Sequence, residues 1–311
     1  MKPILTLTMN PSVDISTTAE RVVTEDKLRC QAPRYETGGG GINVSRVIRR
    51  LDGASKAFYT SGGGNGQMLQ RMLDEEGLDH HPILISGSTR QNFTVLDEST
   101  NEEFRFVLPG PTLSEDEWQI CMDALFAVEP RPEYIVASGS LPPGVPEDFY
   151  ARIARRAKRD GVRVVVDASG ESLRAAMGEG VYLIKPNVQE LSSLTGRELE
   201  TPTEQEAVVK EIVERGQSEV VAVSFGSEGA LVASAEGCER LQPPDVPEQS
   251  AVGAGDSMVA LIVLSLARGS SLQDAVRSGM AAGAATAMMP GTELCHPEDV
   301  EQLVEQVVEE S

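Results

Sequence analysis

The chain has 311 residues, enough to bury a large core, and its 48 acidic and 27 basic side chains give a formal net charge of −21. An acidic surface repels nucleic acids and anionic membranes, so neither is an expected partner. The four cysteines lack metal-binding spacing, no stretch is long and apolar enough to span a membrane, and no signal peptide is recognisable, which predicts a cytoplasmic protein.

Strand-like and helix-like segments alternate along most of the chain. A strand is predicted from Ile4 to Met9, and apolar residues then recur at helical spacing from Val44 to Leu51. Ser114 and Glu117 form a capping box that predicts the start of a later helix. Further apolar strands are predicted from Lys56 to Thr60, Tyr134 to Ala137, Val162 to Val166, Tyr182 to Ile184 and Val220 to Val223. Apolar strands with helices between them predict an α/β fold, whose mostly parallel sheet is covered on both faces.

Two polar segments, roughly residues 15–35 and 89–108, interrupt the alternation because they are strand-like without intervening helices. In the second segment, Phe93 and Phe106 can face each other across a turn, which predicts a hairpin. Strands outside the main sheet suggest a small β lid or a dimerisation surface over the active cleft. No linker or repeat divides the chain, so residues 1–311 are predicted to form a single α/β domain that carries this lid.

The most informative motif is Gly253-Ala254-Gly255-Asp256, which opens a long apolar helix. Amide groups at a helix start lack intrahelical partners, and the helix dipole adds positive potential, so this turn can hold an anion. A carboxylate beside a bound anion can act as a base toward the group that attacks it, as phosphoryl transfer to a hydroxyl requires. For this motif alone, a simple helix cap at a tight turn is an equally good interpretation.

A second glycine-rich element, Gly38-Gly39-Gly40-Gly41-Ile42-Asn43, also leads into a helix and favours the catalytic interpretation. Glycines there let the backbone approach a ligand closely. Their spacing does not match a dinucleotide fingerprint, and the chain has no P-loop and no protein-kinase motif set.

Taken together, these residues resemble the ribokinase-like sugar kinases of the PfkB family, from Thr6 to about Leu294. The matching motifs are Asn10-Pro11-Ser12-Val13-Asp14, the glycine run, Lys185-Pro186-Asn187 with Glu190, and the Gly-Ala-Gly-Asp turn. Other segments resemble one branch, the minor-type ATP-dependent 6-phosphofructokinases. These segments are Lys27-Leu28-Arg29-Cys30, the run from Gly38 to Arg46, Thr89-Arg90-Gln91-Asn92, Glu103 to Val107 and Gly139 to Gly144.

The resemblance implies a ribokinase-like α/β fold with a small β lid, and phosphorylation of D-fructose 6-phosphate by ATP at the C1 hydroxyl to give fructose 1,6-bisphosphate in glycolysis. Asp256 is the implied general base, and the amides of Gly253, Ala254 and Gly255 would stabilise charge on the transferring phosphoryl group. The implied sugar contacts are Asp14, Gly39, Gly40, Asn43 and Ser140. The implied contacts of the sugar phosphate are Lys27, Arg29, Arg90 and Arg105, with Arg29 an option for acting across a dimer contact.

On the nucleotide side, the resemblance implies ATP and Mg²⁺. The implied nucleotide contacts are Lys185, Asn187, Ser224, Gly226, Gly229, Met258, Met280 and Gly283. Magnesium would be held by Asp167, Asn187 and Glu190, partly through water. A monovalent cation such as K⁺ would be held near the anion turn by Ser250, Val252, Thr286 and Gly291. The neighbouring Glu293 departs from the branch, which has a basic residue there.

The sequence leaves alternatives open. Tagatose-6-phosphate kinase and 1-phosphofructokinase share nearly all of these motifs, although the four-glycine form of the sugar loop favours the 6-phosphofructokinase branch. A catalytically silent sugar-phosphate sensor would be expected to lack the base or the metal residues, which are present here. A homodimer joined through the β lid is the expected assembly.

Overall fold

The computed structural model describes residues 3–309 of the chain. Its strands are β1 (Ile4–Thr8), β2 (Ser12–Ala19), β3 (Arg34–Gly38), β4 (Ser55–Ser61), β5 (His80–Leu84), β6 (Arg90–Asp97), β7 (Glu102–Phe106), β8 (Tyr134–Ser138), β9 (Arg163–Asp167), β10 (Val181–Ile184), β11 (Ser218–Ser224), β12 (Ala230–Ser234) and β13 (Gly237–Leu241). Its helices are α1 (Gly40–Arg50), α2 (Gly63–Glu75), α3 (Glu115–Phe126), α4 (Phe149–Asp160), α5 (Gly170–Glu179), α6 (Val188–Thr195), α7 (Pro202–Glu214), α8 (Ala254–Ala267), α9 (Leu272–Ala287) and α10 (Pro297–Glu309).

The main sheet has nine strands in the order β13-β12-β11-β10-β9-β8-β1-β4-β5. All neighbouring pairs from β11 to β5 are parallel, and β12 and β13 add an antiparallel edge. The predicted mostly parallel α/β fold is therefore confirmed. The two antiparallel edge strands and β5 were not predicted, because residues 230–241 and 80–84 carry short polar and apolar stretches without a long apolar run.

Helices cover both faces of this sheet, and alternate side chains of one strand enter the two cores. Ile135 and Ala137 of β8 pack in the core that α3 to α7 cover, whereas Tyr134 and Val136 pack on the opposite face. Helix α8 is buried along nearly its whole length, from Ser257 to Ser265, because it lies inside that second core. A helix that is apolar on every side fits only such a position.

The second sheet has four strands in the order β3-β2-β6-β7. The predicted hairpin is confirmed, with Phe93 opposite Phe106 in the β6–β7 pair. The expectation that the whole segment 15–35 is strand-like is wrong: β2 starts at Ser12, β3 starts at Arg34, and residues 20–29 form a loop. Asp97 holds this loop, since its carboxylate accepts a hydrogen bond of 2.9 Å from the backbone N–H of Val22. The single-domain organisation stays a prediction.

Within the described residues, the search for a helix long and apolar enough to cross a membrane found none.

Candidate active site

A cavity of about 790 Å³ opens at the carboxyl edge of the main sheet. Residues at the ends of four neighbouring parallel strands line it: Ser138 at the end of β8, Asp167 at the end of β9, Lys185 directly after β10 and Ser224 at the end of β11. The first turn of α8 closes the other side. Clefts at this edge are where open α/β sheets bind ligands, and the volume is in the range of small-molecule sites.

Asp256 lies in the first turn of α8, at the floor of this cavity. Its Oδ2 accepts a hydrogen bond of 2.9 Å from Nδ2 of Asn43 on α1. Burial and the nearby charge of Asp167 raise the pKa of Asp256 to about 6, against the opposing effects of Asn43, Lys185 and Ser138. A carboxyl with a pKa of about 6 is still mostly ionised at neutral pH, and it is a stronger base than an ordinary aspartate.

The turn before Asp256 has the backbone that an anion site needs. Gly253 caps α8 in the left-handed region, with φ of 80°, and offers no side chain to occupy the first-turn amides. A Cβ on Gly253 would lie 2.7 Å from the Leu294 side chain, and a Cβ on Gly255 would lie 3.0 Å from Nζ of Lys185. The ammonium of Lys185 therefore stands next to the start of the helix, and both contribute positive potential to the same space.

Lys185 is the buried cation of the cavity, with its side chain 7% exposed. Its Nζ lies 3.4 Å from Oδ1 of Asp167. Burial lowers the pKa of Lys185, but Asp167, Glu190 and Asp256 together outweigh burial and raise it. The lysine is therefore charged, and it is set among three carboxylates that it partly neutralises.

Asn187 and Glu190 form a capping box at the start of α6. The Asn187 Oδ1 accepts from the Glu190 N–H at 2.8 Å, and Glu190 Oε2 accepts from the Asn187 N–H at 2.9 Å. Both side chains also line the cavity beside Asp167. Carboxylate and amide oxygens suit Mg²⁺, but part of each is engaged locally, and no cluster of three or more acidic, His or Cys side chains suited to a metal occurs in residues 3–309. The donors fit a magnesium ion held by few protein oxygens and by water or ligand phosphates.

The cavity walls bring together every residue predicted for the nucleotide. Those residues are Lys185, Asn187, Ser224, Gly226, Gly229, Met258, Met280 and Gly283. The segment from Gln242 to Val246 also lines the cavity, and sequence reasoning missed it because two prolines in a loop carry no chemical signature. Ser138 was missed as well, although its place at the end of an apolar strand could have indicated it.

The glycine run meets Asp256 from the other side. A Cβ on Gly40 would lie 2.0 Å from Ser138 Oγ and 2.9 Å from Asp256 Oδ1, so only glycine lets the start of α1 come this close. Gly39 has φ of 129°, a conformation that favours glycine, and its missing Cβ faces Thr8. Gly40 lines the cavity; Gly39 and Asn43 do not, although Asn43 contacts Asp256, which does.

Asp14 and Arg90 meet at the base of the second sheet. Ser12 Oγ and Asn92 Nδ2 donate to Oδ1 of Asp14 at 2.7 and 2.8 Å. The Arg90 guanidinium donates to the backbone oxygens of Asn10 and Leu108, each at 3.0 Å, while its buried Nε has no partner in the described structure. Burial lowers the pKa of Arg90, although Asp14 opposes this effect. Neither residue lines the main cavity, and the supporting roles of Ser12 and Asn92 were not predicted.

The remaining predicted phosphate contacts are not gathered into a site. Lys27, Arg29 and Arg105 are exposed on the second sheet and its loop, and none of them lines the cavity. Ser140 does line it, and it accepts a hydrogen bond of 3.1 Å from Nδ2 of Asn10.

The residues predicted for a monovalent cation lie outside the cavity, behind the start of α8. Ser250 Oγ donates to the carbonyl of Gly291 at 2.6 Å, and the N–H of Val252 donates to Ser250 Oγ at 3.3 Å. Thr286 is fully buried against Ser257, with their hydroxyl oxygens 2.7 Å apart. The backbone N–H of Ser250 donates to the carbonyl of Ala287 at 3.1 Å, which brings this loop next to the end of α9. A cation there stays a prediction.

Comparison with known proteins agrees with this geometry. The family described as pfkB family carbohydrate kinase matches residues 7–299. ATP-dependent 6-phosphofructokinase isozyme 2 of Mycobacterium tuberculosis is 45% identical, covering 98% of this chain and 90% of that protein. The Escherichia coli isozyme 2 is 42% identical, with 97% and 98% covered. The 1-phosphofructokinase of Bacillus subtilis is less similar, at 34% identity with 98% of both chains covered.

Solved structures of phosphofructokinases are also similar to this chain. The structure of phosphofructokinase-2 from E. coli in complex with fructose-6-phosphate superposes with a TM-score of 0.94 at 40% identity, covering 99% of this chain and all of that one. The same E. coli protein has also been solved in complex with potassium and as a tetrameric inhibited form. The fold, the cavity and these similarities lead to one assignment: the chain belongs to the pfkB family of carbohydrate kinases.

Proposed function

We propose that this chain is an ATP-dependent 6-phosphofructokinase, which transfers the γ-phosphoryl group of ATP to the C1 hydroxyl of fructose 6-phosphate. The observation that carries the proposal is the position of Asp256. Its carboxylate stands between a cavity large enough for a nucleotide and the glycine run of α1, and its pKa is raised to about 6. A base at this junction can serve an acceptor hydroxyl that attacks a phosphate seated on the turn before α8.

The transfer needs a base, a neutralised phosphoryl group and in-line positions for the attacking and leaving oxygens. Asp256 accepts the C1 hydroxyl proton as that oxygen attacks the γ-phosphorus and the bond to the β-phosphate oxygen of ADP breaks. The amides of Gly253, Ala254 and Gly255, together with the Lys185 ammonium, stabilise the charge that develops on the phosphoryl oxygens. Asp167, Asn187 and Glu190 would hold magnesium, partly through water, and the ion would supply positive charge that offsets the negative charge of the nucleotide phosphates.

The two substrates occupy different parts of the site. The nucleotide lies along the ends of β10 and β11, over Ser224, Gly226 and Gly229, with its base against Met258 and Met280. Asp14 and Asn43 bind hydroxyls of the sugar, and Gly39 and Gly40 let the backbone approach it. Lys27, Arg29, Arg90 and Arg105 surround the sugar phosphate when the second sheet closes over the cleft.

Two neighbouring activities are the alternatives, 1-phosphofructokinase and tagatose-6-phosphate kinase. The greater similarity to isozyme 2 phosphofructokinases, 45% against 34% identity for a 1-phosphofructokinase, favours fructose 6-phosphate. A silent sensor is not favoured, because Asp256, Asn187 and Glu190 all stand in the cavity.

The test is ADP formation with Mg²⁺ and ATP, measured in parallel with fructose 6-phosphate, fructose 1-phosphate and tagatose 6-phosphate. We expect a strong preference for fructose 6-phosphate, and Asp256→Asn should lower kcat about 10²–10⁴-fold because it removes the base. Preference for another sugar phosphate would move the chain to a different branch, and silence with all three would support the sensor.

We also propose a homodimer joined through the second sheet. Large exposed apolar side chains concentrate there: Val23, Leu28, Tyr35, Phe93, Phe104, Phe106, Val107 and Leu108. An apolar patch of this kind on a water-facing sheet marks an interaction surface. A dimer would also bring a second copy of Arg29 near the cleft, where a phosphate could recruit it.

Light scattering tests the dimer with a matched pair of variants. Phe106→Glu, at a side chain 55% exposed on β7, should give the mass of one chain. Leu84→Glu, 75% exposed on β5 of the main sheet, should leave the mass unchanged. A fully active wild-type protein with the mass of a single chain would overturn the proposed dimer.

A further inference from the structure

A series of part-buried polar contacts leads away from Asp256 through α1 to the end of α2. Asn43 donates from Nδ2 to Asp256 Oδ2 at 2.9 Å. On its other side, Asn43 Oδ1 accepts a hydrogen bond of 3.4 Å from Nη1 of Arg46. Arg46 contacts Glu76 through three hydrogen bonds of 2.8 to 3.0 Å from Nε and Nη2. Neither Arg46 nor Glu76 lines the cavity, and the proposed mechanism assigns no role to either.

Arg46 and Asp256, the two partners of Asn43, fix the orientation of its side-chain amide. A side-chain amide has a donor end and an acceptor end, whereas a guanidinium only donates and an ionised carboxylate only accepts. Asn43 lies between Arg46 and Asp256, so its oxygen must face Arg46 and its NH₂ group must face Asp256. The reversed amide would place an acceptor against the carboxylate and a donor against the guanidinium, and both contacts would be repulsive.

Arg46 is itself held firmly. Its side chain is 8% exposed, and a buried guanidinium needs a carboxylate partner, which Glu76 provides at 2.8 Å. Glu76 is the C-terminal cap residue of α2, so the pair also ties that helix to α1. Asn43 and Arg46 are three residues apart on α1, a spacing that places their side chains on the same face of the helix.

We propose that Arg46, anchored by Glu76, is a positioning residue for phosphoryl transfer: it holds the Asn43 amide in the one orientation that aims the Asp256 carboxylate at the acceptor hydroxyl. The proposal rests on the proposed function, because Asp256 is the base in that reaction. Arg46 touches no substrate and acts only through Asn43.

A double-mutant cycle tests this role with Arg46→Lys, Asn43→Ala and the double variant. Lysine keeps the charge beside Glu76, but its single nitrogen lacks the fork that contacts Glu76 and Asn43 together. We expect Arg46→Lys to lower kcat roughly three- to tenfold, the value of one hydrogen bond, with the KM for ATP unchanged. In the Asn43→Ala background the same change should lower kcat less than about twofold, because the residue through which it acts is gone.

Arg49→Lys is the matched control. Arg49 lies on the same helix and donates from Nε to the backbone oxygen of the same Glu76, at 3.1 Å, but it does not contact Asn43. Its replacement should leave kcat unchanged. Equal losses from Arg46→Lys in both backgrounds, or no loss in either, would overturn the positioning role.

Thermal unfolding of the same four proteins separates this proposal from the proposed function. The Tm loss of the double variant should be smaller than the sum of the single losses, because Arg46 and Asn43 share a contact. Additive Tm losses in an active enzyme would overturn the positioning role alone. A wild-type protein that is silent with all three sugar phosphates would overturn the proposed function, and the role of Arg46 with it.

Discussion

The charged residues around Lys185, on the nucleotide side of the cleft, are buried or fixed by local contacts, whereas most cations on the second sheet and its loop are exposed. In the cavity, the Lys185 side chain is 7% exposed and lies 3.4 Å from Asp167, while Asn187 and Glu190 are locked in a capping box. On the second sheet, Lys27 and Arg105 are exposed, and neither has an ion pair in the described residues. The first set stands together in one cavity, whereas the second is spread over an exposed sheet, where under the proposed function a phosphate or a partner chain would gather it.

This difference follows from where each set lies on the fold. Residues at the ends of parallel strands are fixed by a sheet buried on both faces, so their geometry does not depend on the ligand. Charges on long, exposed side chains remain hydrated, and their interactions are weak until water is excluded. The contrast therefore predicts that changes in the cavity affect turnover, and that changes on the lid affect the affinity for the sugar phosphate.

Lys185→Met should lower turnover almost as strongly as removal of the base. Removing this ammonium takes away a preplaced charge for the phosphoryl group and leaves Asp167 without its partner, so kcat should fall about 10²–10³-fold in steady-state assays. Lys56→Met is the control, because the Lys56–Asp79 pair lies at the surface at 3.3 Å. That variant should keep kcat and lose less than about 1 kcal/mol of unfolding free energy. If the kcat of Lys185→Met stayed within a few-fold of the wild-type value, the prediction that changes in the cavity affect turnover would be wrong.

Asp256→Asn should stabilise the protein while it removes activity. The pKa of Asp256 is about 6 in the fold, against 3.8 for an unperturbed aspartate side chain, so the folded state binds more protons than the unfolded state between these pH values. Stability from this group is therefore lost as the pH rises from about 4 to 6, and at pH 7 the ionised carboxylate costs roughly 3 kcal/mol of unfolding free energy.

Urea unfolding at several pH values measures this effect. The gain in unfolding free energy of Asp256→Asn should be full at pH 7 and should shrink as the pH falls through 6 toward 4. Parallel stability curves for the two proteins would show that burial does not raise the pKa of Asp256.

Lys27→Ala should raise the KM for fructose 6-phosphate roughly 10–100-fold, the value of one charge-assisted hydrogen bond, and leave the KM for ATP unchanged. Arg34→Ala is the matched control, since Arg34 is an equally exposed cation at the start of β3 with no predicted role. An unchanged KM for the sugar phosphate in Lys27→Ala would place the phosphate elsewhere.

The smallest effect concerns pH. With Asp256 as the base and a pKa of about 6, kcat/KM should be level near pH 8 and fall about tenfold for each unit below pH 6. Since the Asn43 hydrogen bond lowers the pKa of Asp256, Asn43→Ala should shift this limb of the profile to higher pH. If the acidic limb of the profile lay at the same pH in Asn43→Ala and in wild type, Asn43 would have no influence on the pKa of Asp256.

Much of this architecture is predictable from the sequence. Apolar runs with helices between them identify β1, β4, β8, β9, β10 and β11, because buried parallel strands need continuous apolar residues. Two glycine turns that precede helices lead to the floor of the cavity. On the antiparallel edge, β13 has no such pattern, since it is half covered and carries Glu239 and Arg240, whereas the buried apolar run of β12 from Ala230 to Ala233 offered the same signal and was missed.

The parts of the site that escaped prediction depend on contacts between distant residues. Ser12 and Asn92 support Asp14, and Arg46 reaches Asn43 with the help of Glu76, which is 30 residues away along the chain. From the sequence alone, an arginine and a glutamate on helices are expected to be ordinary surface charges. Only the packing of α1 against the end of α2 shows that Arg46 is buried and that Glu76 is its partner.

The pairing of β2 with β6 has a consequence for how the molecule forms. These strands run parallel from Ser12 opposite Arg90 to Ala19 opposite Asp97, so partners are 78 positions apart (90 − 12) and the connection contains β3, α1, β4, α2 and β5. A loop that long is closed late, after its local elements have formed. The second sheet is therefore no detachable module that could be excised or grafted as one contiguous piece. Asp14 and Arg90 become neighbours only in a chain that has folded through this entire connection.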